Sequence, residues 1–420
     1  MNTEIIYKAV YTLCEEANVR LPQEVYEKLA KFEHKYSEQI LQNAHLAAKK
    51  CRPLCQDTGQ VVVFLDLGQD IALQGEYIED VINRAVADCY RDKFYRKSVV
   101  KDALNDRTNT KTNTPAVIHT RIVKGDKVKI LLALKGGGAE NTSAVKMFNP
   151  TASRDEIFHF IRQTVDQAGE RACPPMSLGI GIGGTIEHAC LLAKRALYFG
   201  ENLDFTHPNV FEAKILTSSA HIASMPVCVN TNCSSDRYAK CTIVDGRIVF
   251  DFHGYETPAV KPDYDFFTQV KTSDIERLKS LKAGDKILLS GTIYTARDAA
   301  HKRLAQILER NETLPIDLKD IIIFFAGPCP AAPGEIIGPI GPTTSKRMDE
   351  FAEIMHKNGV LGVIGKGERG VDAGLYLKLP GGIACLVQDC VKKAEMVAFE
   401  ELGAEAIYKL EVENLPLEVA

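Results

Sequence analysis

At 420 residues the chain is longer than one ordinary domain, and an apolar share of 45% is ample for real cores. A formal charge of −4, from 51 basic and 55 acidic side chains, offers no basic face on which nucleic acid could dominate. No apolar run approaches the roughly 18 uncharged residues of a membrane-spanning helix, which argues against a span.

The N-terminal stretch MNTEIIYKAVYTLCEEA carries Glu4, Glu15 and Glu16 and lacks a basic start followed by an apolar run. It reads as an amphipathic helix with Ile5, Ile6, Val10 and Leu13 inward, not as a signal peptide, and a cytoplasmic protein is expected. Residues 1–50 read as two helices separated by Leu21-Pro22, the second charged and alternating through Lys49 and Lys50. QVVVFLD at 60–66 and DKVKILLALK at 126–135 read as strands. Helical patterns follow at 154–168 and 186–199, and CTIVDGRIVFDF at 241–252 is a hairpin signal turning at Asp245-Gly246.

Residues 254–264, GYETPAVKPDY, hold two prolines and little periodicity and mark a boundary. Beyond them an apolar strand (KILLSGTIYTA), a helix (ARDAAHKRLAQILER) and a second strand (DIIIFFAG) lead into a Gly/Pro-rich loop. A helix (SKRMDEFAEIMHKNG) and a further apolar strand (GVLGVIG) complete the pattern. This alternation predicts an α/β fold of two domains: 1–257, of mixed α/β character, and a smaller 258–420 with a mostly parallel sheet.

The twelve cysteines, in a chain this large with no export signal, suggest intracellular free thiols with a metal-ligand subset, not disulfides. Cys14, Cys89, Cys190, Cys228 and Cys241 sit in periodic apolar segments and suit small buried hydrophobes. Cys55 (PLCQDTG), Cys173 (ACPP) and Cys233 (NTNCSSDR) are instead flanked by turn formers and polar residues, as thiols on loops are. Three loop cysteines can hold a metal cluster, but without CxxC pairing incidental buried thiols fit as well.

Gly179 to Gly184 match G-x-G-x-x-G literally. The Cys173-Pro174-Pro175 segment immediately before leaves little room for a first Rossmann strand, so a dinucleotide-dependent oxidoreductase is disfavoured. The glycines read instead as places where backbone approaches a ligand closely. Lys135-Gly136-Gly137-Gly138 after a strand forms a candidate nest for a carboxylate, with a flexible strand-end loop as the alternative. Arg297 and Arg347 each stand at a strand-to-helix junction, where open α/β sheets bind ligands, and the planar fork of arginine suits carboxylate.

PLCQDTG, NTKTNTPA, KGGGAEN, ACPPMSLGIGIGGT, the segment from His221 to Arg237, SGTIYTARDAAH, GPTTSKRMD, the lysine of IGKGERG and the tail ELGAEAIYKLEVENLP run in order along the chain. Together they resemble the class I, iron–sulfur-dependent fumarate hydratases and the related L-tartrate dehydratases, with α and β parts joined end to end. The resemblance implies a hydro-lyase of the tricarboxylic acid cycle acting reversibly on fumarate, with L-tartrate dehydration or mesaconate hydration as its close rivals. It implies a cluster-binding first domain in which Cys55, Cys173 and Cys233 ligate a four-iron, four-sulfur ([4Fe–4S]) cluster, and a substrate-handling second domain. Arg96, Arg297 and Arg347 align with carboxylate-binding arginines of the family, Gln56, Asp57, Gly137 and Lys366 with substrate contacts, and His221 with an active-site histidine. Thr343, activated by Asp57, is implied as the proton-transfer group, which would draw one residue from each domain. A small dicarboxylate substrate and a homodimer complete these expectations.

Overall fold

In a computed structural model the described residues are 1–252, 254–371 and 374–420. They form two compact units, Met1–Val260 and Lys261–Ala420, each with its own core.

In the first unit the helices are α1 (Glu4–Val19), α2 (Gln23–Lys31), α3 (Ser37–Lys50), α4 (Ile78–Asp92), the short α5 (Gly137–Glu140), α6 (Arg154–Ala168) and α7 (Ile186–Phe199). The strands are β1 (Gln60–Gly68), β2 (Val117–Val123), β3 (Val128–Lys135), β4 (Ala144–Phe148), β5 (Met176–Gly184), β6 (Glu201–Asn202), β7 (Val210–Ala220), β8 (Met225–Asn232), β9 (Tyr238–Val244) and β10 (Arg247–Phe250). They build two five-stranded sheets, ordered β10-β9-β3-β1-β2 and β4-β8-β5-β7-β6.

β1 reads as an unbroken apolar run because both its faces are covered. Val61, Val63 and Leu65 pack under α1 and α4 against Ile6, Val10, Leu13, Val86 and Cys89. Phe64, on the opposite face, meets Tyr198 and Phe199 of α7 at ring-centroid distances of 6.1 Å. Asp245 and Gly246 both take positive φ, 50° and 69°, as the hairpin between β9 and β10 requires.

The region before residue 50 departs from expectation, holding three helices where two were predicted. The second break, at 32–36, contains neither proline nor glycine. Extended Phe32 ends α2, its carbonyl accepts from the Ser37 hydroxyl at 2.9 Å, and the His34 ring stacks on Phe32 and meets Tyr36 edge to face.

The glycine run is a second correction, since it is strand β5 itself. Met176, Leu178 and Ile180 face the α6 core. The alternate Gly179 and Gly181 face α7, where a Cβ would stand 2.0 Å from the Ala193 carbonyl oxygen and 2.1 Å from that of Ala189. These glycines therefore admit a helix, not a ligand.

The second unit contains β11 (Thr268–Lys271), α8 (Ile275–Lys279), β12 (Lys286–Thr295), α9 (Asp298–Glu309), β13 (Ile322–Phe324), α10 (Ala352–Lys357), β14 (Gly362–Gly365), β15 (Leu375–Lys378), α11 (Ala384–Cys390), β16 (Val391–Ala398) and β17 (Ile407–Val419). Strands β11 to β15 are parallel and adjacent in sequence order. β17 runs antiparallel to β15, β16 and β12 at once, so β12, β13, β14, β15 and β17 close into a ring. The helix expected over 345–359 opens as a 3-10 turn, Ser345–Phe351, before α10. Among the described residues no helix is long and apolar enough to cross a membrane.

Candidate active site

In the first unit the three loop cysteines are brought to one place. Cys55 lies in the turn between α3 and β1, Cys173 follows the 3-10 turn Gly169–Ala172 with φ at 59°, and Cys233 directly follows β8. The Ser234 N–H donates to the Cys173 carbonyl at 3.2 Å and ties the last two loops together. Cys173 and Cys233 pack with Ala139 of α5; Cys55 acts electrostatically on Cys233 and is itself acted on by Cys173. Burial pushes the Cys55 thiol up against the opposing charge of Arg237, and pushes that of Cys233 up to about 12. Among the described residues no three His, Cys, Asp or Glu side chains converge on a single ion. A cluster takes one thiolate per iron, so shared lining of one pocket, not convergence on a point, is the geometry it needs.

Beneath the thiols lies Arg237, 1% exposed. Its Nη1 donates to the Asp57 carbonyl at 2.8 Å. The Asp57 carboxylate accepts from the N–H groups of Gly137 and Gly59 at 2.9 and 3.1 Å and lies 3.6 Å from Arg96. Burial alone would raise the Asp57 pKa, but Arg96, Arg237 and these two N–H groups together hold it below the usual carboxylate range. Asp57 is therefore a fixed carboxylate. The glycine nest expected at 136–138 is the start of α5, and the Gly137 N–H binds this internal carboxylate. A Cβ at 136 would stand 3.3 Å from Asp57 Oδ2, a tight contact that glycine avoids. Gln56 is buried beside Cys55, and the Cys55 thiol donates to its Oε1 at 3.5 Å.

Behind this layer is a charged network to which the sequence reading gave no role. Buried Lys135, at the end of β3, donates to the Thr231 carbonyl at 2.7 Å and lies 3.6 Å from Glu140, which also pairs with Lys194. Burial pulls the Lys135 ammonium down to about 8, with Glu140 opposing. Asp236 accepts from Ser177 at 2.7 Å and Asn232 at 2.6 Å, and burial raises it to about 6. The available signal was a lysine closing an apolar strand and an Asp-Arg pair just after a loop cysteine.

His221 lies on the exposed turn after β7, where its Nδ1 accepts from the Ala223 N–H at 3.1 Å. It is not part of the hydrogen-bonded pocket around Asp57 and Arg237.

In the second unit the predicted residues gather at the carboxyl ends of the parallel strands. Arg297 follows β12 and caps α9, lying 3.4 Å from Glu405 and 3.8 Å from Asp298. The Thr343 N–H donates to the Phe325 carbonyl, past the end of β13, at 2.7 Å, and its own carbonyl accepts from the Lys366 N–H, past β14, at 3.2 Å. Arg347 grips Asp298 with two bonds, of 2.8 and 2.6 Å, and its Nη1 donates to Thr343 Oγ1 at 3.3 Å. Arg297, Thr343, Arg347 and Lys366 thus form one cluster, whose arginine forks are held by Asp298 and Glu405.

A family model described as fumarate hydratase (fumerase) matches residues 7–210, and one described as fumarase C-terminus matches 259–420. An anaerobic class I fumarate hydratase of Escherichia coli is 29% identical over 445 residues, covering 90% of this chain and 79% of the relative. A putative class I fumarate hydratase of Geobacillus stearothermophilus is 27% identical over 491 residues, covering 98% and 93%. A putative L(+)-tartrate dehydratase subunit beta of Methanocaldococcus jannaschii is 40% identical over 168 residues, which is 37% of this chain and 85% of that one. The chain is accordingly an α/β enzyme of the hydro-lyase class. It belongs to the class I fumarate hydratase family and carries both of the family's regions in one polypeptide.

Proposed function

We propose that the chain reversibly hydrates fumarate to (S)-malate and that Cys55, Cys173 and Cys233 hold a [4Fe–4S] cluster. The observation that carries this reading is that three buried thiols from separate loops lie within electrostatic range of one another and of a buried guanidinium. Their donor set fits the group: soft sulfur ligands, a nearby cation, and no fourth cysteine among the residues that influence them. Such a cluster supplies an iron with an open position, a Lewis acid for a departing or entering oxygen.

The chain's own residues do the rest. Arg297 and Arg347 recognise substrate carboxylate through planar forks that Asp298 and Glu405 hold in place. In the first unit Arg96, Gln56 and Gly137 stand at the family's substrate-contact positions, the Gly137 N–H being held by Asp57, and His221 offers a ring on an exposed turn. In the second unit Lys366 stands at such a position. Asp57 stays ionised. Thr343 Oγ1 takes the proton from the carbon next to the carboxylate in dehydration and returns it in hydration. A hydroxyl is a weak base at neutral pH, and the Arg347 N–H on Oγ1 favours its deprotonated form.

L-Tartrate dehydration is the second reading, favoured by the 40% identity of the second unit to a chain named for it. The two substrates differ in hydroxyl content, a distinction made by few pocket residues. The test is an anaerobic assay of iron-loaded protein against fumarate, mesaconate, L-malate and L-tartrate in parallel. Turnover of fumarate and L-malate far above the others is expected, with about four irons per chain. Full activity in iron-free protein would remove the cluster from the reading.

A further inference from the structure

Only one edge of the Arg237 guanidinium is used within its unit, in the bond from Nη1 to the Asp57 carbonyl. Nε and Nη2 are buried and have no hydrogen-bond partner among the described residues. A buried donor left unsatisfied is destabilising, and more so when it is charged. A fold that buries these donors needs an acceptor for them in the working state. The groups that act on this guanidinium are Cys55, Cys233, Asp57 and Tyr90, three of them able to carry negative charge beside the thiol pocket and the fourth a buried phenol. Asp57 already spends its carboxylate on Gly137, Gly59 and Arg96. The sulfurs are what remains. As thiols they are poor acceptors; as thiolates they are good ones.

We propose that Arg237 is the counter-cation of the three-cysteine pocket, its unspent N–H groups donating to the cysteine sulfurs once these are thiolates. The proposal rests on the cluster reading of Cys55, Cys173 and Cys233. Arg237 acts through those sulfurs and through the Asp57 backbone, so it is a positioning residue. It favours metal retention, and it favours the more negative, reduced state of the cluster, because a nearby cation and hydrogen bonds to sulfur both raise a cluster's potential.

The test compares anaerobically reconstituted wild type, Arg237→Gln and Arg237→Lys by iron content, rate of iron release to a chelator, and reduction potential. Circular dichroism reports folding. Arg237→Gln, which removes the charge, is expected to release iron at least tenfold faster. Its reduction equilibrium is expected to shift about tenfold against the reduced state, about 59 mV downward for one electron. Arg237→Lys keeps the charge and gives up the fork; it is expected to hold the wild-type potential while releasing iron faster. If Arg237→Gln does not fold, that split between potential and release in Arg237→Lys decides the matter. Wild-type release and potential in both variants would overturn the proposal, and so would an equal fall in potential in both, since charge would then not be the agent. Failure of the wild type itself to bind iron would overturn the cluster reading and this inference with it, an outcome distinct from iron-loaded variants that behave as wild type.

Discussion

At the scale of single residues, the second unit shows how a threonine can be made useful. Thr343 is pinned by its backbone to the ends of two strands, and its hydroxyl accepts from an arginine that Asp298 holds in a two-bond grip. Thr343→Ala removes the proposed proton acceptor while leaving the three cysteines untouched. The expected outcome is full iron content with turnover reduced about 100-fold or more, on the scale of lost acid–base catalysis; near-normal turnover would exclude Thr343 from proton transfer. His301, one helical turn into α9, makes a different prediction. Its ring is buried between Phe325 and Phe351, and burial pulls its pKa down to about 4. The unfolded chain takes a proton there near pH 6.5, but the folded chain does so only near 4. Stability from the neutral ring is therefore complete above about pH 6.5 and declines as pH falls towards 4, by about 3 kcal/mol in all. Urea denaturation of His301→Phe should lack this part of the acid sensitivity, and an unchanged pH profile would contradict it.

At the scale of elements, the case of β5 shows how a motif is misread. GIGIGG has the spacing of a nucleotide loop, yet it is a central strand whose alternate glycines accept α7 at backbone contact distance. Gly181→Ala would place a methyl 2.1 Å from the Ala189 carbonyl oxygen. Neither helix nor strand can yield cheaply, so a loss of about 3 kcal/mol or more is expected, at or beyond the upper end of ordinary overpacking. Chemical denaturation is the measurement, and a loss below about 1 kcal/mol would mean that α7 shifts easily. The start of α6 is the contrasting case, where local chemistry agrees with the helical pattern predicted at 154–168. Ser153 and Glu156 form a reciprocal capping box ahead of a periodic apolar face.

At the scale of the whole molecule, the second unit has a core of its own, in which Leu304 of α9 and Met355 of α10 cluster with Ile323, Phe325 and Ile407 of a sheet that β17 closes into a ring. A relative carries the corresponding region as a separate subunit. Residues 261–420 expressed alone should therefore melt cooperatively, with a native-like near-ultraviolet spectrum; a broad, non-cooperative transition would show that this core is incomplete by itself. By itself the sequence determined what nearest neighbours along the chain decide: β-branched runs for β1, β3 and β12, the Asp-Gly hairpin, the helix periods of α6, α7 and α9, and the thiols and arginines placed at loops and strand ends. The break between α2 and α3, the use of glycine for helix contact in β5, the closure by β17 and the burial of Arg237, Lys135 and Asp236 were settled by tertiary structure. All but the first, which local contacts between residues 32 and 37 decide, depend on partners far away along the chain, and a residue's identity states what it can bond with but not which distant group will be brought to meet it.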